Sequence, residues 1–135
     1  MILFLDLRNN AAIAGVIDAK RDRWVSVKGQ RAGFLVFSRA KKLLGRKKPT
    51  CIVVAMGSGE KRDVSWSTIR AAVAMANAFA FAWNIPAVEM QVCGDESRTE
   101  LATLVRSATK KAKKSHWVSA SYNGEPNITK AKKIL

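Results

Sequence analysis

The stretch CIVVAMGSGEKRDVSWSTIRAAVAMANAFAFAWNIPAVEMQV, from Cys51 to Val92, decides how this chain of 135 residues folds. Cys51-Ile52-Val53-Val54-Ala55-Met56 is an unbroken apolar run, the pattern of a central parallel strand covered on both faces. It ends in Gly57-Ser58-Gly59. From roughly Ser65 to Trp83 the chain is rich in Ala and Phe around the whole helical circumference, so a helix is expected there. Asn84-Ile85-Pro86 ends that helix, because the residue before a proline is pushed out of the α region, and Ala87 to Val92 reads as the next strand. A helix apolar all round must be covered on two sides. Its own sheet covers one, and the other is expected to meet a neighbouring helix or a partner protein.

Upstream, Ile2-Leu3-Phe4-Leu5-Asp6-Leu7 reads as a buried strand, Arg8-Asn9-Asn10 as turn residues, and Ala11 to Ile17 as a second strand. After Asp18-Ala19-Lys20-Arg21-Asp22, the alternation in Arg23-Trp24-Val25-Ser26-Val27-Lys28 marks a third strand with one buried face. From about Gln30 to Leu44, Phe34, Leu35, Phe37, Leu43 and Leu44 separate at helical spacing from Arg31, Arg39, Lys41 and Lys42, with Gly45 as the stop. Arg46-Lys47-Lys48-Pro49 is a basic linker into Cys51.

Downstream, Gly94-Asp95-Glu96 is a turn and Ser97-Arg98-Thr99-Glu100 has the form of a capping box opening a third helix to about Lys110. The remainder reads as a strand from His116 to Tyr122, a turn at Asn123-Gly124, and a basic tail from Glu125 to Leu135 with Lys130, Lys132 and Lys133. Residues 1–113 are expected to form one domain, with 114–135 a remnant hairpin or basic tail.

The order is three antiparallel strands, then helix, strand, helix, strand, helix. Right-handed crossovers would lay the two later strands parallel to the first. The expected fold is therefore α/β: a mixed five-stranded sheet with helices on both faces, as in the ribonuclease-H-like fold and the half-unit of actin-like ATPases. Fold alone does not give function.

Composition agrees with a globular domain, at 48% hydrophobic and 25% charged residues. The 24 Lys and Arg against 10 Asp and Glu give a formal net charge of +14, which favours polyanions or a partner with an acidic face. Cys51 and Cys93 make no disulfide framework; on neighbouring parallel strands they would lie at opposite ends of the sheet. The opening apolar run is cut off at Asp6 and Arg8, and the apolar stretch from Ala71 to Trp83 is shorter than a membrane span. A cytosolic protein with free thiols and no membrane association is expected.

The chemical readings are mostly unfavourable. A ribonuclease-H-type nuclease gathers carboxylates around two metal ions, but the first strand offers only Asp6 and the run from Cys51 to Met56 no acid. An actin-like ATPase needs a glycine-rich phosphate turn after the first strand, where this chain has Leu7-Arg8-Asn9-Asn10. Gly57-Ser58-Gly59 stands where α/β folds bind anions, though a tight turn needing positive φ explains it more simply. His116 has no Cys or His at ligand spacing. No enzyme activity, cofactor or metal is expected. The basic groups remain: Lys41, Lys42, Arg46, Lys47 and Lys48 form one, and Lys110, Lys111, Lys113 and Lys114 another. They read either as RNA phosphate contacts or as solvated helix ends favoured by the helix dipole.

The segment from Cys51 to Val92 resembles the TsaB (YeaZ) family, in which a strand leads to a Gly-Pro-Gly-Ser-Phe-Thr-Gly-Leu-Arg motif, an Ala-rich helix and an Ile-Pro. Gly57-Ser58-Gly59 matches the start of the motif and, after an insertion around Glu60 to Val64, Ser65-Trp66-Ser67-Thr68-Ile69-Arg70 matches the rest, with Thr68 in place of a glycine. Ala78-Phe79-Ala80-Phe81-Ala82-Trp83-Asn84-Ile85-Pro86 matches the helix end. Ile2 to Asp6 looks like the family's first strand, and Trp117 to Pro126 like the hairpin that begins its second domain, most of which this chain lacks. The resemblance implies a reduced, non-catalytic scaffold that pairs with TsaD, the paralogue that transfers the threonylcarbamoyl group to tRNA.

By that resemblance the first two helices bundle against the partner's equivalents. The motif-turn residues are Gly57, Ser58, Gly59, Ser65 and Arg70. The expected interface residues are Phe34, Phe37, Ile69, Ala72, Met75, Ala76 and Phe79, since aromatic and Met side chains dominate interface cores. A TsaD-like heterodimer and a symmetric homodimer would compete for one surface, with tRNA joining within a complex. The alternative is a freestanding RNA-binding module that works through its lysine clusters.

Overall fold

The computed structural model describes residues 1–7, 11–29, 31–57, 66–110, 112 and 118, leaving aside the side chains of 57 and 66–69. Within them the chain forms β1 (Ile2–Asp6), β2 (Ala11–Ile17), β3 (Asp22–Lys28), α1 (Ala32–Leu44), β4 (Cys51–Gly57), α2 (Trp66–Trp83), β5 (Ala87–Val92) and α3 (Arg98–Thr109). The strand order is β3-β2-β1-β4-β5. β2 is antiparallel to β1 and β3, while β4 is parallel to β1 and β5 is parallel to β4. This is the mixed sheet expected from the order of elements.

Strand periodicity sorts the core into two layers. Leu3, Leu5, Ala14, Val16, Ile52, Val54 and Met56 point to one face, where Val36, Phe37, Ala40 and Leu44 of α1 and Ala72, Val73, Ala76 and Ala80 of α2 cover them. Phe4, Ile17, Cys51, Val53, Ala55, Met90 and Val92 point to the other, under Leu101, Ala102 and Val105 of α3. β4 is buried along its length between helices on both sides, which is why its sequence does not alternate.

Helix ends differ from the sequence expectation where backbone geometry intervenes. Gly29 (φ 103) and Arg31 (φ 62) are both left-handed, so α1 starts at Ala32, two residues after Gln30, and has no side-chain cap. α2 closes in a Schellman arrangement: Asn84 is left-handed at φ 55, its N–H bonds Phe81 O at 3.1 Å, and Ile85 N–H bonds Ala80 O at 2.9 Å. Ser97 caps α3 through Oγ, which accepts from Glu100 N–H at 3.1 Å. Glu96, one residue earlier, accepts from the amides of Cys93 at 2.5 Å and Gly94 at 2.9 Å, which holds the turn into the helix.

One close approach fixes the outer strands. Gly15 pairs with Trp24, and a Cβ at Gly15 would lie 2.7 Å from the indole ring. The ring fills the space a side chain would take and meets Phe4 edge-on at 6.1 Å between centroids.

Candidate partner-binding face on α1 and α2

α1 and α2 lie side by side on one face and join through aromatic rings. Phe37 of α1 stacks on Phe79 of α2 at 4.4 Å between centroids, and Phe79 meets Trp83 one turn on at 5.2 Å. Lys41 Nζ sits 5.7 Å from the Phe79 centroid, a cation over the ring at the seam. The helices therefore form one platform. The outward residues of α2 are Arg70, Ala71, Ala74, Ala78, Phe81 and Ala82, all exposed. Only the arginine is charged. Phe34 and Leu35 of α1 are also exposed, Phe34 at 66% and Phe81 at 74%.

The expected interface residues divide on this geometry. Phe34 is on the surface. Met75 and Phe79 are half-buried at the seam. Ala72, Ala76 and Phe37 are corrected to core positions: they are buried against the sheet or the neighbouring helix, because 72, 76 and 80 repeat every four residues on the sheet-facing side of α2. Ile69 lies in α2, but its side chain is outside the described residues. The outward positions that sequence reading passed over are Ala71, Ala74, Ala78, Phe81 and Ala82.

Of the motif turn, Gly57 closes β4 opposite Val92 and Arg70 is exposed in α2, whereas Ser58, Gly59 and Ser65 lie outside the described residues. Lys41, Lys42, Arg46, Lys47, Lys48 and Lys110 are all exposed. Lys111, Lys113, Lys114, His116 and, apart from Val118, the expected hairpin or tail of 114–135 lie outside the described residues.

Asn77 carries a role that its residue type alone did not suggest. Half-buried on α2, its side-chain amide donates from Nδ2 to Val118 O at 2.8 Å and accepts from Val118 N–H at 3.0 Å. This is the pair of bonds that an edge strand would make. Val118 itself is buried in the α1–α2 layer of the core. The polar residue inside the apolar run thus anchors the chain beyond α3, and the one available signal was an amide side chain in an otherwise apolar helix.

The carboxyl ends of the parallel strands, where α/β folds place chemistry, hold Asp6 at the end of β1 and Cys93, Asp95 and Glu96 after β5. β4 lies between β1 and β5, and by register Asp6 is level with Ala55 and Met90, so it is more than two strand spacings, over about 10 Å, from the group after β5. Glu96 is turned onto the amides of its own loop. Cys93, Asp95 and Glu96 hold their sulfur and carboxylate atoms within 4.8 Å of one another, in a group that is mostly exposed and does not include Asp6. Burial pushes the Cys51 thiol up to about 11, which keeps it protonated at neutral pH; Cys93 is exposed, and both are free. No helix among the described residues is long and apolar enough to cross a membrane.

The strand order, the mixed pairing and the split of two helices on one face and one on the other define a protein of ribonuclease-H-like fold. Among solved structures, YeaZ from Pseudomonas aeruginosa is similar with a TM-score of 0.54 and 17% identity, over 67% of this chain and 44% of that one. An uncharacterized protein with similarity to peptidase YeaZ from Pseudomonas aeruginosa gives 0.56 and 17%, over 67% and 42%. RuvC from Thermus thermophilus is a more distant likeness, with a TM-score of 0.49 and 14% identity over 90% of this chain and 86% of that one. The chain thus spans less than half the length of the YeaZ structures it matches. These two structures bear out, at the level of the fold, the resemblance read from Cys51 to Val92. No family model matches the chain, and no curated protein is significantly similar to it.

Proposed function

We propose that this chain is a non-catalytic scaffold subunit that pairs with a TsaD-type protein, through the outer surface of α1 and α2, in tRNA threonylcarbamoyladenosine modification. The observation that carries this reading is the outward face of α2, where Ala71, Ala74, Ala78, Phe81 and Ala82 are exposed in a helix whose opposite side is already buried. A helix that stays in water presents charges outward. Small residues instead let another helix approach closely, with Phe34, Leu35 and Phe81 as flanking anchors. The likeness to YeaZ supports the same reading.

Size-exclusion chromatography with light scattering tests it. The purified chain is measured alone and mixed with the TsaD paralogue from the same source. A one-to-one heterodimer on mixing is expected. A homodimer that persists in the mixture, or two species that elute unchanged, would overturn the pairing.

A further inference from the structure

The basic residues, scattered along the sequence, meet at one end of the fold. β1, β4 and β5 all start at this end, β2 finishes there, and α1 and α3 run back to it on opposite faces of the sheet. Several contacts tie this end together: Arg23 Nη1 donates to Leu43 O at 3.0 Å, joining β3 to the last turn of α1. Arg106 Nη2 donates to Asp22 Oδ1 at 2.7 Å and Asp18 O at 3.2 Å, joining α3 to the β2–β3 turn. Thr50 N–H donates to Met1 O at 2.8 Å, which fixes the start of β4 beside the start of β1.

Around these contacts the β2–β3 turn exposes Lys20 and Arg21. The last turn of α1 exposes Lys41 and Lys42, and the segment into β4 adds Arg46, Lys47 and Lys48. Lys110 follows the end of α3 on the other face. Among the described residues the acids at this end are Asp18 and Asp22; Asp22 is paired with Arg106, and Asp18 Oδ1 accepts from Ala19 N–H at 2.6 Å. Among the described residues, eight exposed cations therefore share one rim with two acids already engaged.

The helix dipole accounts for Lys41, Lys42 and Lys110, which stand at helix C-termini. It does not account for Lys20 and Arg21 in the loop between β2 and β3, nor for Lys47 and Lys48 past the helix end. The dipole is not served at the end of α2 either, whose last turn holds no basic residue. Solubility alone calls for mixed signs.

We propose that this amino-terminal end of the parallel strands is a binding surface for the phosphodiester backbone of a nucleic acid, separate from the outward face of α2. The ion pair and main-chain bonds hold the turn and helix ends in place, so the cations stand on rigid elements and can each neutralise a phosphate. Recognition through the backbone is independent of base sequence.

The test uses the full chain with fluorescent 30-base-pair RNA and DNA duplexes, measured by anisotropy from 50 to 200 mM salt. Affinity is expected to fall by ~1,000-fold or more over that range, as for six or more phosphate contacts. The pairs K20E/R21E and K47E/K48E, each with an unchanged circular dichroism spectrum, should each weaken binding by at least tenfold and flatten the salt dependence. The pair K28E/R31E at the other end removes the same charge and should change binding less than twofold. Equal losses from all three pairs would overturn the proposal in favour of net charge alone, and so would absence of binding at 50 mM salt. Retention of RNA in preference to DNA, or the reverse, would identify the source of the backbone.

Discussion

α2 and α3 pack on opposite faces of the same sheet, and they finish differently. α3 buries Leu101, Ala102 and Val105 and turns Thr99, Glu100, Thr103, Arg106 and Ser107 outward, with Leu104 the one large apolar side chain among them. Its outer side belongs in water. α2 buries Ala72, Val73, Ala76 and Ala80, and its outer side is again alanine and phenylalanine. Capping differs as well: α3 has Ser97 at its start, while α2 is stopped by the left-handed Asn84 and held at mid-length by the bonds of Asn77 to Val118. One helix presents a mostly polar outer side, and the other an apolar one.

The sharpest way to break this comparison is to put the same charge on both outer faces. Ala78→Arg should leave the thermal unfolding midpoint unchanged and weaken binding to the TsaD paralogue by ~100-fold or more, because a desolvated charge at an interface core is costly. Thr103→Arg on α3 should alter neither quantity. Equal effects from the two would mean that the helices do not differ in role.

Smaller effects sharpen the contrast in how the helices are anchored. Asn77→Ala removes both bonds to the Val118 amide and carbonyl at this part-buried contact, for a loss of about 2 kcal/mol in urea unfolding. Hydrogen exchange at the Val118 amide should speed up in the same variant. For α3, Ser97→Ala removes the cap and should cost about 1 kcal/mol. Arg106→Ala, which breaks an exposed ion pair at 2.7 Å, should cost about 0.5 kcal/mol and less at high salt.

The thiols give a check on burial. At pH 8 a thiol reagent should titrate Cys93 alone in the native protein and both cysteines after unfolding. The folded-state value for Cys51 is raised, so folding keeps its thiol neutral where the unfolded chain would ionise. The associated stability is intact below pH 9 and falls away as pH rises from 9 toward 11.

Much of this was legible in the residues. The apolar run from Cys51 to Met56 could be satisfied only between two layers, and the alternation from Arg23 to Lys28 only at a half-covered edge, so the strands and their order followed from local pattern. Ser97-x-x-Glu100 announced the start of α3 for the same reason: a cap is a contact between near neighbours. Ala72 and Ala76 were harder to place because a helix with alanine on every side carries no amphipathic phase, and only packing against Ile52, Val54 and Met56 shows which alanines face inward.

What the sequence determined by itself, then, was the set of elements, their order, the absence of a carboxylate on β4 and the excess of positive charge, all properties of short segments or of composition. The tertiary structure decided which side of α2 stays outside, that Asn77 binds the backbone 41 residues further along, and that Lys20, Lys47 and Lys110 share one end of the sheet. Those are relations between residues distant along the chain, and they exist only once strand pairing and helix packing have brought the distant segments together.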